Sequence, residues 1–264
     1  MPARETSHTV RNVKVRLFTA GNGPPLLFLH GAGGIERWLP FFDLLASHHT
    51  VMVPEHPGFG GSDNPHFIRN VADVAMYYLD FLDDLAVSSG GEKIHLVGHS
   101  LGGWIAAELA TRNCAHLKSL ALLAPAGIRV KGFLSGDNFI WSPEEAARNL
   151  VYDQAYAELA IAAAAAASEA EADRALVNRY AAARLAWEPR WFNPALERWL
   201  HRIKAPALVL WGAGDRLLPA RYADVWRAEV PGAKVEIIPA CGHLMHVEKA
   251  EEVAKRVLAF TDSV

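Results

Sequence analysis

Ten residues constrain this chain more than any others: Ile94-His95-Leu96-Val97-Gly98-His99-Ser100-Leu101-Gly102-Gly103. Ile94 to Val97 is an apolar-leaning run that reads as a short buried strand. Trp104 to Ala110 reads as a helix. Gly98-x-Ser100-x-Gly102 lies between them, a sharp turn from strand to helix. A serine on such a turn is held in strained backbone geometry with its hydroxyl clear of the sheet. Glycines two residues before and after it are required because larger side chains would collide where strand and helix nearly touch. Gly103 leaves further room for close helix packing. The start of the helix also aims unused backbone N–H groups at whatever the serine attacks. A Gly-rich turn bearing an ordinary serine has the same residues, so the rest of the chain must decide between the two.

Around this turn, short apolar runs alternate with amphipathic stretches. Val10 to Thr19 sets Val13, Val15 and Leu17 against Lys14 and Arg16, the pattern of a half-exposed edge strand. Leu26-Leu27-Phe28-Leu29 is apolar throughout, as a strand buried on both faces requires. Thr50 to Val53, Leu117 to Leu123, Leu208 to Trp211 and Val235 to Ile238 read as further strands. Helical spacing appears over Arg37 to Ser47, Val71 to Ala86 and Val247 to Phe260. The alternation predicts an α/β fold, a mostly parallel sheet of about eight strands with helices on both faces. Ligands of such sheets bind at the carboxyl ends of the strands.

Arg129 to Ile203 breaks this rhythm and has no convincing strand. Ser142-Pro143-Glu144-Glu145 supplies an N-cap, a proline at the first helical position and a capping box. An alanine-rich helix is expected from Tyr152 to Leu185, then a short one ending at Trp199. The expected organisation is a core domain of residues 1–128 and 203–264 with a helical cap, 129–202, inserted between two strands. Trp141, Trp187 and Trp191, with Phe139, Phe192 and Trp199, would line an apolar substrate pocket, or else pack the cap onto the core.

Composition excludes several classes. A chain of 264 residues with 51% hydrophobic residues suits one domain with a sizeable insertion and a large core. Lys and Arg number 26 against 29 Asp and Glu, and the net charge of −3 gives no electrostatic case for nucleic acid or an anionic membrane. Cys114 and Cys241 are too few for a cysteine metal cage and fit a reducing compartment. Met1 to His8 has no apolar signal core, and the longest apolar run, Ala160 to Ala167, is too short to span a bilayer. A cytoplasmic protein without membrane insertion is expected; the sequence leaves its oligomeric state open.

A serine nucleophile needs a base, and the base an orienting acid. His243, in Ala240-Cys241-Gly242-His243, follows the last strand and precedes the last helix. His246 is its competitor, expected to play a structural part. For the acid, Leu208 to Trp211 runs into Gly212-Ala213-Gly214-Asp215, which puts Asp215 at the same sheet edge. The other position, after Leu117 to Leu123, reads Ala124-Pro125-Ala126-Gly127 and has no carboxylate. An oxyanion hole needs two backbone donors. Leu101 N–H is one; Ala32 N–H, from His30-Gly31-Ala32-Gly33-Gly34, is the other. His30 itself is expected to pin that loop through hydrogen bonds.

Five motifs together resemble the α/β-hydrolase family: His30-Gly31-x-Gly33-Gly34, Pro57-Gly58-Phe59-Gly60-Gly61-Ser62-Asp63, Gly98-His99-Ser100-Leu101-Gly102-Gly103, Gly212-x-Gly214-Asp215 and Gly242-His243-x-x-His246-x-Glu248. The resemblance spans roughly residues 10–128 and 203–262. It implies a Ser100, Asp215, His243 triad acting without a metal or organic cofactor. Serine at the turn argues against the family's dehalogenases and epoxide hydrolases, which use aspartate there. Its meta-cleavage carbon–carbon hydrolases do use serine, but typically lack a histidine in the oxyanion loop and carry tryptophan after the catalytic histidine. Here His30 leads the loop and Leu244 follows His243. The expected activity is therefore hydrolysis of a small, neutral, fairly apolar carboxylic ester. Carbon–carbon hydrolysis, perhydrolysis and a low-turnover ligand receptor on the same fold are the alternatives. Arg190 could mimic the cap arginine of those carbon–carbon hydrolases, and beside Pro189 it reads better as a surface or packing residue.

Overall fold

The structure is a computed structural model that describes residues 3–88, 90–133 and 135–264. Eight strands form one sheet in the order β1-β2-β4-β3-β5-β6-β7-β8. They are β1 (Arg4–Val10), β2 (Val13–Ala20), β3 (Pro25–Leu29), β4 (Thr50–Pro54), β5 (Ile94–His99), β6 (Leu117–Leu123), β7 (Ala207–Gly212) and β8 (Lys234–Ile238). β1 and β2 are antiparallel to their neighbours and the other pairs are parallel. Every residue of β5 and β7 is buried, so residues pointing to opposite faces are both covered. Among the helices, α1 (Pro40–Ala46) packs on α10 (Ala250–Thr261), and α2 (Val71–Ser88) packs on α3 (Leu101–Arg112).

Register sets the carboxyl ends of the central strands side by side. Leu29 of β3 pairs with Gly98 of β5, His99 pairs with Leu123 of β6, and Leu123 pairs with Leu210 of β7. The segments after these strands therefore emerge at one edge: His30 to Gly34, Ser100, Ala124 to Gly127 and Ala213 to Asp215.

Between β6 and β7 the chain builds α4 (Pro143–Leu150), α5 (Gln154–Ala165), α6 (Glu169–Ala186) and α7 (Leu196–Trp199). The Ser142 capping box that opens α4 is present as expected. The single helix expected from Tyr152 to Leu185 is two. Ser168 accepts from Glu171 N–H and Glu171 reaches back to Ser168, so a second capping box restarts the helix. α5 buries only Ala157. Two other expectations change. β2 is an interior strand, and the edge belongs to β1, whose polar sequence buries little besides Val10. The closing helix divides at Lys249 into α9 (Met245–Glu248) and α10. Between β7 and β8 lies α8 (Ala223–Glu229).

Candidate active site

Ser100 sits on the turn between β5 and α3 with φ +52° and ψ −114°, a region that a residue with a Cβ rarely occupies. The glycines around it are sterically required. A Cβ on Gly102 would lie 2.0 Å from the Leu29 carbonyl oxygen, and one on Gly98 would lie 2.5 Å from that of Gly102. Leu101 is the first residue of α3, so its N–H has no helical partner.

His243 and Asp215 meet beside this turn. Asp215 Oδ2 accepts from His243 Nδ1 at 2.7 Å. Its other oxygen accepts from the N–H groups of Leu217 (2.9 Å) and Leu218 (2.8 Å), which fixes the carboxylate in an almost fully buried place. With the proton on Nδ1, His243 Nε2 is the basic nitrogen. It is buried and has no hydrogen-bond partner among the described residues. Ser100 and His243 share a cavity of about 200 Å³. Ala32, Phe28, Ile35, Leu39 and Phe42 also line it, and its wall includes no Lys, Arg, Asp or Glu.

The loop after β3 is held by a buried chain of neutral groups. His30 Nε2 accepts from His56 N–H (2.9 Å), so Nδ1 carries the proton and donates to Gly31 O (2.7 Å). His56 Nε2 donates to His30 O (2.9 Å), and its Nδ1 accepts from Tyr78 O–H (2.7 Å). Holding the Gly31 carbonyl fixes the plane of the next peptide, and with it the direction of Ala32 N–H. Burial keeps these rings uncharged: it lowers His30 to about 4 and His56 well below the usual imidazole range. His99 faces His243 O from its Nε2 at 3.0 Å, tying the serine turn to the histidine loop, and is also well lowered by burial.

His246 takes a different place from His243. Its ring packs near Phe28, Phe41 and His99, burial lowers it to about 3, and its Nδ1 has no partner among the described residues. Cys241 is pushed up to about 12 by burial and is no thiolate.

Glu248 ends the Gly242-to-Glu248 motif, and its part emerges only from the fold. Its Oε2 accepts from Gly242 N–H (2.7 Å), and its Oε1 accepts from Tyr152 (2.7 Å) and Asp153 (2.8 Å) N–H. One buried carboxylate thus joins the residue before His243 to the turn between α4 and α5. Asn178 of α6 makes a second tie, donating to Gly33 O and accepting from Gly60 N–H, both at 2.9 Å.

The three tryptophans expected in a pocket part company. Trp191 lines a small cavity together with Ser100. Trp187 does not: it is 51% exposed, with the Arg190 guanidinium 4.0 Å above its ring. Trp141 lines neither cavity that contains Ser100 and packs against Gly136. The physical reason is that Gly136 and Asn138, together with Trp191, occupy the space beside Ser100, which leaves Trp141 and Trp187 outside it. Arg190 is ion-paired with Asp137 at 2.5 Å and lies outside both cavities.

Residues 26–256 match the model of the alpha/beta hydrolase family. The chain belongs to the alpha/beta hydrolase family. It is 30% identical over 259 residues, 92% of its length, to a dihydrolipoyllysine-residue acetyltransferase component of an acetoin cleaving system from Cupriavidus necator, of which it spans 65%. It is 28% identical over 265 residues to a 2-hydroxymuconate semialdehyde hydrolase from a Pseudomonas species, covering 93% of this chain and 89% of that one. Among solved structures, a bacterial membrane phospholipase A is similar with a TM-score of 0.77 and 30% identity, over 99% of this chain and 86% of that one. No helix among the described residues is long and apolar enough to cross a membrane.

Proposed function

We propose that the chain hydrolyses neutral carboxylic esters through an acyl-enzyme. One observation carries this reading: the cavity shared by Ser100 and His243 has no charged residue of the Lys, Arg, Asp or Glu type in its wall. A neutral acyl group meets no unpaired charge there, whereas a carboxylate would be desolvated without a cation.

In this mechanism Ser100 Oγ attacks the ester carbonyl and His243 Nε2 takes its proton. Asp215, held by two backbone N–H groups, keeps the His243 proton on Nδ1 and stabilises the imidazolium. Ala32 and Leu101 N–H groups receive the oxyanion. His243 returns the proton to the departing alcohol, then activates water to release the acid. Residues 129–202 act as a cap over this edge, fastened by Asn178 and by the backbone of Tyr152 and Asp153.

The similarity to a 2-hydroxymuconate semialdehyde hydrolase favours a second reading, carbon–carbon hydrolysis of a ring-cleavage acid. That substrate class carries a carboxylate, no Lys or Arg lines the cavity, and the cap residue Arg190 is engaged with Asp137. A panel of short p-nitrophenyl esters and a vinylogous diketone acid separates the two. Ester turnover with Ser100→Ala reduced by ~10⁴-fold or more is expected, together with fluorophosphonate labelling of Ser100. Turnover of the diketone acid alone, or a Ser100→Ala variant as active as wild type, would sink the ester reading.

A further inference from the structure

Two buried polar atoms beside Ser100 have no use in the mechanism above. Trp191 is 8% exposed, and its indole Nε1 is buried with no hydrogen-bond partner among the described residues. The same holds for Asn138 Oδ1. Both residues line one small cavity with Ser100. Its volume is about 10 Å³, enough for a single hydroxyl-sized group. Ala126, Leu217 and Leu218 make apolar walls. Ser100, Asn138 and Leu217 also line the 200 Å³ cavity, so the small chamber adjoins it at the nucleophile.

The two residues are placed there by a rigid frame. Trp191 has φ +60°, a backbone conformation that bulky residues avoid. It is imposed by hydrogen bonds from Trp191 N–H to Ala186 O (3.0 Å) and from Gly127 N–H to Trp191 O (3.2 Å). The ring stacks on Phe139 at 4.4 Å and 15°. Asn138 is set by its neighbours: Gly136 N–H donates to Leu217 O (2.7 Å), and Asp137 is held by Arg190. Strain that positions an unpaired donor next to a nucleophile is a mark of a binding role.

From this geometry we infer that Trp191 N–H and Asn138 Oδ1 form a donor–acceptor subsite for a hydroxyl group carried by the substrate near its scissile ester. The inference rests on the ester reading. A hydroxyl donates one hydrogen bond and accepts another, so one donor and one acceptor satisfy it. Charged and purely accepting groups leave one of the two atoms unmet. A free water is held by two to four polar partners, and the Ser100 hydroxyl with these two atoms would suffice for one, so water is the competing occupant that the test must separate. A substrate hydroxyl, tethered by its own chain, needs only the donor and the acceptor.

The test compares kcat/KM of the purified full chain on matched pairs. p-Nitrophenyl 3-hydroxybutyrate against p-nitrophenyl butyrate probes the acyl side; glycerol monobutyrate against propyl butyrate probes the alcohol side. One hydroxylated member should be preferred about tenfold or more, because a site built to bond a hydroxyl rejects the analogue lacking it. Trp191→Phe keeps the ring and deletes the donor; Asn138→Ala deletes the acceptor. In each, the preference should fall to within about threefold of unity. If a variant fails to fold by circular dichroism, the wild-type preference between the enantiomers of the hydroxybutyrate serves instead, since a fixed donor–acceptor pair separates them. Equal rates for both pairs in wild type, or a preference that persists in both variants, would overturn the inference. A uniform slowing of all esters in the variants with acyl-enzyme accumulation would also overturn it, assigning the chamber to water. Absence of any ester turnover and of fluorophosphonate labelling would instead defeat the ester reading and carry this inference with it.

Discussion

Four buried imidazoles around Ser100 make the protein sensitive to acid. Burial lowers His30 to about 4 and His246 to about 3, and holds His56 and His99 well below the usual range. Unfolded, each titrates near ~6.5. Between those limits the unfolded chain binds more protons than the folded one. Stability is therefore complete above pH ~6.5 and falls as pH drops, by up to about 1.4 kcal/mol per pH unit for each ring. The urea midpoint should fall steeply from pH 7 to pH 5; a flat profile would contradict neutral burial of these rings. Tyr78→Phe isolates one link, because it leaves His56 Nδ1 without its donor. A loss of about 1–2 kcal/mol is expected in urea unfolding. Turnover should drop about tenfold, short of the ~10²–10³ cost of losing an oxyanion donor outright.

Among the elements, Glu248 links more than its length of chain suggests. Glu248→Gln keeps one acceptor oxygen and turns an amide NH2 toward either Gly242 N–H or the Tyr152 and Asp153 pair. The expected cost is about 2–4 kcal/mol in denaturant unfolding, from losing charge-assisted bonds. Amide exchange at Tyr152 and Asp153 should quicken; unchanged protection there would argue against the tie. Such links explain what the sequence could and could not reveal. β3 is legible because a strand covered on both faces is apolar along its length, and β5 because Leu96 and Val97 run straight into the Gly98-x-Ser100-x-Gly102 turn. β1 is not, since Arg4 to Thr9 bury almost nothing and alternate no apolar face. The break between α5 and α6 hides in alanines, which have no pattern to interrupt, although Ser168 and Glu171 mark the restart. His243 and Asp215 are readable from their places after successive strands. Trp191 is readable only as one of several cap aromatics, and Asn138 not at all, because its nearness to Ser100 depends on a distant segment folding back over the end of β6.

For the whole molecule, one feature of connectivity governs how the fold is reached. β6 pairs with β7 through Leu120 to Leu123 and Ala207 to Leu210, and all the helices α4 to α7 are strung between them. Every one of those β6 residues is buried in the finished protein. During synthesis at ~5–20 residues per second, the apolar outer edge of β6 waits roughly 4–17 s for its partner to emerge. A chain ended at residue 206 should aggregate where the full chain stays dispersed, as light scattering after matched expression would reveal; equal dispersion would show that α4 to α7 shield the edge. The insertion that frames Ser100 thus sets how long that apolar edge goes uncovered, a delay that grows with every residue added between those two strands.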